Sequence, residues 1–218
     1  MAAIVTNSHD DVHGEERQRL LAELLDSVKQ CQIRFGGRSE LATESDHHVS
    51  VLCKNLEAVL SHGLRSRPVY KNSSALEQVT DIVAKTLRYS QEPPCFWHYV
   101  RQYLTKHELD RYLSLKKIWT DIGRGRAWLR SSLNERSLDR YLHSLLGNPS
   151  EASVYYHDWA LLLDQELNST LPNMAAGLSP ILFAIGIDDG RLNQTNGATD
   201  AFPSSKSEPL LAVPAEGW

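Results

Sequence analysis

The sequence predicts an all-α fold: a single globular multi-helix domain with disordered ends. Three observations predict it. Apolar residues recur with a 3.6-residue period through the middle of the chain. No segment between turn signals shows sustained two-residue alternation, so no sheet is expected. Both ends are polar and aperiodic. The chain has 218 residues and 41% apolar composition, enough for one core of ordinary size if the polar residues gather in the ends.

Taken in order, residues 1–14 read as a flexible arm, 15–187 as the helical domain and 188–218 as a disordered tail. Leu20, Leu21, Leu24, Leu25, Val28 and Phe35 make the first stripe, stopped by Gly36 and Gly37. Ser45 or Asp46 can cap the second, which runs Val49, Leu52, Cys53, Leu56, Val59, Leu60, Leu64. A weaker stripe of Leu76, Val79, Ile82, Val83 and Leu87 follows a loop. Pro93 and Pro94 break the chain before Phe96, Trp97, Val100, Tyr103 and Leu104. Leu109, Tyr112 and Leu113 continue as a short helix, with Trp119 as an extension of its stripe. Asp121 can cap a helix to about Leu133. Leu138, Tyr141, Leu142, Leu145 and Leu146 come next, stopped by Gly147, Asn148 and Pro149. Tyr155, Trp159, Leu162 and Leu163 precede a last stripe of Met174, Leu178, Ile181, Leu182 and Ile185.

Several function classes fall away. The net charge of −4 argues against nucleic acid, which selects strongly basic domains. Cys31, Cys53 and Cys95 are odd in number and lack a C-x-x-C pair, so free buried thiols are expected rather than disulfides or zinc. The N-terminus turns polar too early for a secretory signal, and the run Ile181–Ile187 is too short to span a bilayer. A cytoplasmic location is expected. His9 and His13 share helical spacing but sit in the polar arm, and His47 and His48 point to different faces, so no metal or other cofactor is expected. No phosphate loop, nucleophile elbow or H-E-x-x-H pattern occurs, which disfavours an enzyme.

The most informative stretch is Gly123-Arg124-Gly125-Arg126-Ala127-Trp128-Leu129-Arg130. On a helical wheel Ile122, Leu129 and Leu133 fall within about 40° of one another, with Gly125 and Trp128 on the adjoining flank. That arc is the buried one. Arg126 and Arg130 are i, i+4 partners on the opposite flank, and Arg124 projects roughly 160° from Arg126. Two helix-interior glycines cost about 1 kcal/mol each relative to Ala, so close approach of another backbone is expected there. Glu57, Asp121 and Glu135 are candidate ion-pair acceptors for the arginines. Arg124 is the strongest candidate for an interface and Arg126 borders the core, while Arg130 is equally a candidate for an intradomain ion pair and for partner contact, for which Arg65 is a candidate too. Lys116 and Lys117 can extend the basic patch, or line a solvated helix face. His62 ends the second helix beside Gly63, with Arg65 close behind. Trp97, Trp128 and Trp159 are expected in the core.

The blocks Leu52–Leu64, Phe96-Trp97, Gly123–Arg130 and Ala176-Gly177-Leu178 resemble a RUN domain, in the family's block order over residues 46–187. The opening run Leu24–Arg38 resembles the sorting nexins that carry such a domain. The resemblance implies a bundle of about eight helices. It also implies a non-enzymatic adaptor or effector for small GTPases of the Rab, Rap and Arf-like groups in endosomal or vesicle traffic. Basic residues of the H-G-L and G-R-x-R blocks support GTPase binding in some members, which carries over to His62, Arg124 and Arg126. Peripheral association with anionic, phosphoinositide-bearing membranes and scaffolding of cytoskeletal or motor partners are the alternatives. The resembled sorting nexins continue into a coiled coil and a PX domain; the resemblance covers neither, so dimerisation and lipid targeting are not carried over.

Overall fold

The computed structural model describes residues 8–66 and 93–194. Its longer helices are α1 (Ser8–Phe35), α2 (His47–Ser61), α4 (Lys106–Leu113), α5 (Asp121–Asn134) and α6 (Leu138–Leu146). Short helices fill the gaps: α3 (Trp97–Val100), α7 (Pro149–Tyr155), α8 (Gln165–Asn168) and α9 (Leu171–Ala176). The fold is all-α, and among the described residues the only extended pairings are two isolated bridges. The stripe expected over 76–87 lies outside the described residues. None of the described helices is long and apolar enough to cross a membrane.

The helices sit where their apolar faces can be buried together. Val49, Leu52, Cys53, Leu56, Val59 and Leu60 are all buried along α2, against Leu24, Val28, Cys31 and Phe35 of α1. Local chemistry sets the ends. Asp46 caps α2 by accepting from His48 N at 2.8 Å. Thr105 and Glu108 form a reciprocal capping box on α4. Asn148 caps α7, which carries Pro149 in its first turn. An aromatic centre joins the elements: Trp128 of α5 meets Phe96 at 6.2 Å and Tyr141 at 5.5 Å between ring centroids. Two phenols close it, Tyr99 donating to Leu145 O at 2.5 Å and Tyr156 to Leu60 O at 2.8 Å. All three cysteines are buried free thiols.

Four expectations are corrected. Residues 8–14, expected in a flexible arm, open α1. Long-range contacts hold them there: His13 stacks on Trp159 at 4.0 Å and Arg17 donates to Trp159 O at 2.9 Å. Trp159 is therefore half-buried between His13 and His157 rather than in the core. The last stripe is helical only to Ala176. Beyond it Ile181, Phe183 and Ile185 are buried alternately, and the backbone of 182–184 pairs with Ala42. Finally, residues 188–194 belong to the fold rather than to a disordered tail. A 3-10 turn spans Gly190–Asn193, with Leu192 and Asn193 buried.

The α2 terminus needs a glycine. Gly63 has φ +72°, and a Cβ there would lie 2.5 Å from Cβ of Ala160. The turn lets Gly63 O accept from His157 N at 2.8 Å and Arg65 N donate to Tyr155 O at 2.8 Å. We expect Gly63→Ala to lose at least about 1–3 kcal/mol of unfolding free energy, from left-handed backbone strain with the clash in addition. Chemical denaturation checks this, and an unchanged midpoint would show that the turn relaxes freely.

Candidate partner-binding site

The arginine block forms α5, capped not by Asp121 but by Thr120, whose hydroxyl accepts from Gly123 N at 3.0 Å. Both glycines answer to close approach inside the domain. A Cβ at Gly125 would meet the Phe96 ring at 3.0 Å, and one at Gly123 would meet Asn193 Oδ1 at 2.7 Å. No partner protein is needed to account for them.

The structure separates the three arginines. Arg126 is only 7% exposed. Its Nε donates to both Glu57 oxygens at 2.9 and 2.8 Å, and its Nη1 to the carbonyls of Leu192, at 3.0 Å, and Gln194. Arg130 is 8% exposed and donates to Glu44 at 3.1 and 2.6 Å and to Arg126 O at 3.2 Å. Both were candidates for direct partner contact. Burial corrects that placement: their donors are committed to acceptors within the domain. Glu57 and Asp121 do serve as acceptors, but Glu135 takes Arg111 instead. Arg124 keeps partial exposure, pairs with Asp121 one turn back at 2.5 Å, and has an Nε with no hydrogen-bond partner.

The flanking candidates also divide. His62 is 7% exposed, a second correction to a residue expected at the surface. Its Nδ1 accepts from Leu161 N at 2.9 Å, which leaves the proton of the neutral ring on Nε2, 3.6 Å from Glu16. Arg65 is half-buried and staples the 156–158 turn, its Nε donating to Tyr156 O at 2.8 Å and Nη2 to Asp158 at 3.3 Å. Lys116 and Lys117 are exposed, and their backbone N–H groups donate to Asp188 at 3.3 and 2.7 Å. They lie in a loop after α4, not on a helix face. The sequence reading placed Trp119 on a helical stripe; it projects from this loop at 68% exposure. Asp188 and Asn193, which hold the loop, leave no sequence signal beyond a lone polar side chain far along the chain. Among the described residues no group of three or more His, Cys, Asp or Glu is placed to hold a metal ion.

Two predictions follow from this geometry. Glu57→Gln should cost about 3–5 kcal/mol, since it leaves a buried guanidinium without its counter-charge; urea denaturation reads it, and a loss under about 1 kcal/mol would place Arg126 in water. The second concerns pH. Burial pulls the His62 imidazole below its ordinary value, against Glu16, and burial does the same to His98 against Asp121. A folded-state pKa below the unfolded value means the folded chain binds fewer protons, so stability falls as pH drops below about 6.5. The melting temperature should decline between pH 7.5 and 5.5. His62→Asn should lower it at pH 7.5 yet flatten that decline; an undiminished slope would assign the effect elsewhere.

Comparison with known proteins matches the RUN domain over residues 51–189. Among curated relatives, pleckstrin homology domain-containing family M member 2 of Homo sapiens is 26% identical over 178 residues, covering 80% of this chain and 15% of that protein. Its Mus musculus counterpart is 25% identical over 177 residues, with the same coverage. The chain thus spans about 15% of the length of these relatives. The narrower sorting-nexin likeness of Leu24–Arg38 stays an expectation. Because the matched stretch holds most of α2, the whole arginine helix and everything through α9, the chain belongs to the RUN domain family.

Proposed function

We propose that the chain is a non-enzymatic adaptor module that binds a small GTPase of the Rab, Rap or Arf-like groups in vesicle traffic. The observation that carries the reading is the RUN match over residues 51–189, because resemblance to that family implies GTPase effectors and adaptors. The geometry supports one arginine of the block in that role. Arg126 and Arg130 are committed to Glu57 and Glu44 from the interior, whereas Arg124 is half-buried and its acceptor is the local i, i+3 carboxylate of Asp121. A pair that still touches solvent is held less tightly than the two buried ones, so a partner carboxylate can join Asp121 at the guanidinium.

The test is a pulldown with the intact chain against a panel of GTP-locked and GDP-locked Rab, Rap and Arf-like proteins. At least one GTP-locked member should bind. Arg124→Ala should weaken that binding by about 2–5 kcal/mol with the melting temperature unchanged. Binding to no member, or equal binding to both nucleotide states, would remove the effector reading; a collapsed melt would make Arg124 structural.

A further inference from the structure

The loop between α4 and α5 has the form of a preassembled binding edge. Ile118 is buried beneath it. Four of the five backbone N–H groups from 116 to 120 are fixed by two side chains of the 188–194 segment. Asp188 accepts from Lys116 and Lys117 at 3.3 and 2.7 Å, and Asn193 Oδ1 accepts from Trp119 and Thr120 at 3.0 and 3.1 Å. Asn193 Nδ2 returns a bond to Lys117 O at 2.8 Å. This rigid frame holds Trp119 outward at 68% exposure, with Leu113 at the end of α4 50% exposed. The backbone beneath the indole is therefore fixed.

We propose that Trp119 is the anchor of the partner surface, flanked by Lys116 and Lys117, and that it enters an apolar pocket with an acidic rim on the GTPase. The proposal rests on the GTPase reading and names the contact residues for it. A large aromatic on a fixed backbone suits an interface hot spot, since little backbone entropy remains to be lost on binding. Charge selects the partner. Asp188 is engaged by backbone N–H groups, and Asp189 by Arg191 at 2.6 Å. Lys116 and Lys117 are exposed, and with Arg191 they outnumber the two carboxylates of the edge, so the patch beside the indole is basic on balance although Lys117 feels Asp189. A bilayer fits less well. Lipid attraction grows by about 1 kcal/mol per basic residue and needs a cluster of them, whereas here Lys116, Lys117 and Arg191 face two carboxylates in a chain of net charge −4. Thr120 begins α5, so Trp119 and Arg124 lie at the same end of one helix.

The experiment uses the intact chain on the same panel of GTP-locked proteins, with Trp119→Ala, Lys116→Glu/Lys117→Glu and Arg124→Ala. For the member bound by wild type, Trp119→Ala should weaken affinity at least about thirtyfold with an unchanged melting temperature. The double lysine variant should slow association and flatten its salt dependence. If Trp119→Ala binds like wild type, the surface is wrong while the GTPase reading stands. If wild type binds no member, both go. A parallel arm sediments the chain with phosphatidylcholine vesicles with and without phosphatidylserine. Sedimentation that needs phosphatidylserine and Trp119, while GTPase binding does not need Trp119, would place the indole on lipid and overturn the proposal.

Discussion

The buried guanidinium of Arg126 is the constraint around which the rest is arranged. A charge taken out of water is tolerable only when its donors are met by fixed acceptors. Here α2 supplies the Glu57 carboxylate, and the segment after residue 187 supplies the carbonyls of Leu192 and Gln194. One side chain thus ties α5 to an element far upstream and to one far downstream. Recruiting that last segment has a second effect. It brings Asn193 to the start of α5 and Asp188 to the loop before it. The interior of the domain and the shape of its candidate binding edge therefore share one electrostatic origin.

The alternation of glycine and arginine in the block follows from the same packing. Gly125 lets the Phe96 ring lie on α5, and Gly123 makes room for Asn193. Arg126 and Arg130, one turn apart, face the carboxylates of Glu57 and Glu44. Each residue type is explained by what it touches inside the domain. The pattern is in large part a signature of the fold, and Arg124 at its outer edge keeps partial exposure.

Much of the fold was legible because one-sided burial leaves a period in the sequence. α2 and α6 carry apolar faces of the expected spacing. α5 departs from it, being buried on every side from Gly125 to Leu133, so Gly125, Trp128 and Leu129 lie buried as the wheel has them while Ile122 is only half-buried and the opposite flank of Arg126 and Arg130 is buried too. What was not legible depends on distant partners. The first turns of α1 have a polar sequence, and Arg17 finds its carbonyl 142 residues away. Ile181, Phe183 and Ile185 alternate over too few residues to separate from a helical stripe. Residues 188–194 look like a tail by composition, yet Asn193 and Asp188 act through hydrogen-bond geometry, which composition does not record. The site was half legible for the same reason: the block stood out, but the direction of Arg130 needed Glu44, 86 residues earlier.

These placements change what a loss of binding would mean in this chain. Removing Arg126 or His62 disturbs the interior, since one neutralises Glu57 and the other accepts an amide of the 161 turn. Any effect on a partner is then inseparable from an effect on folding. Trp119, Lys116 and Lys117 stand in the opposite position: their side chains are exposed while their backbone is held by Asp188 and Asn193. Side-chain changes there leave the backbone frame intact, so any effect they have on a partner would not pass through folding. Changes to Asp188 or Asn193 leave those side chains in place and act on the order of the backbone that carries them. The two sets together separate what the surface touches from what holds it in shape, a separation that the basic residues of the motif do not allow.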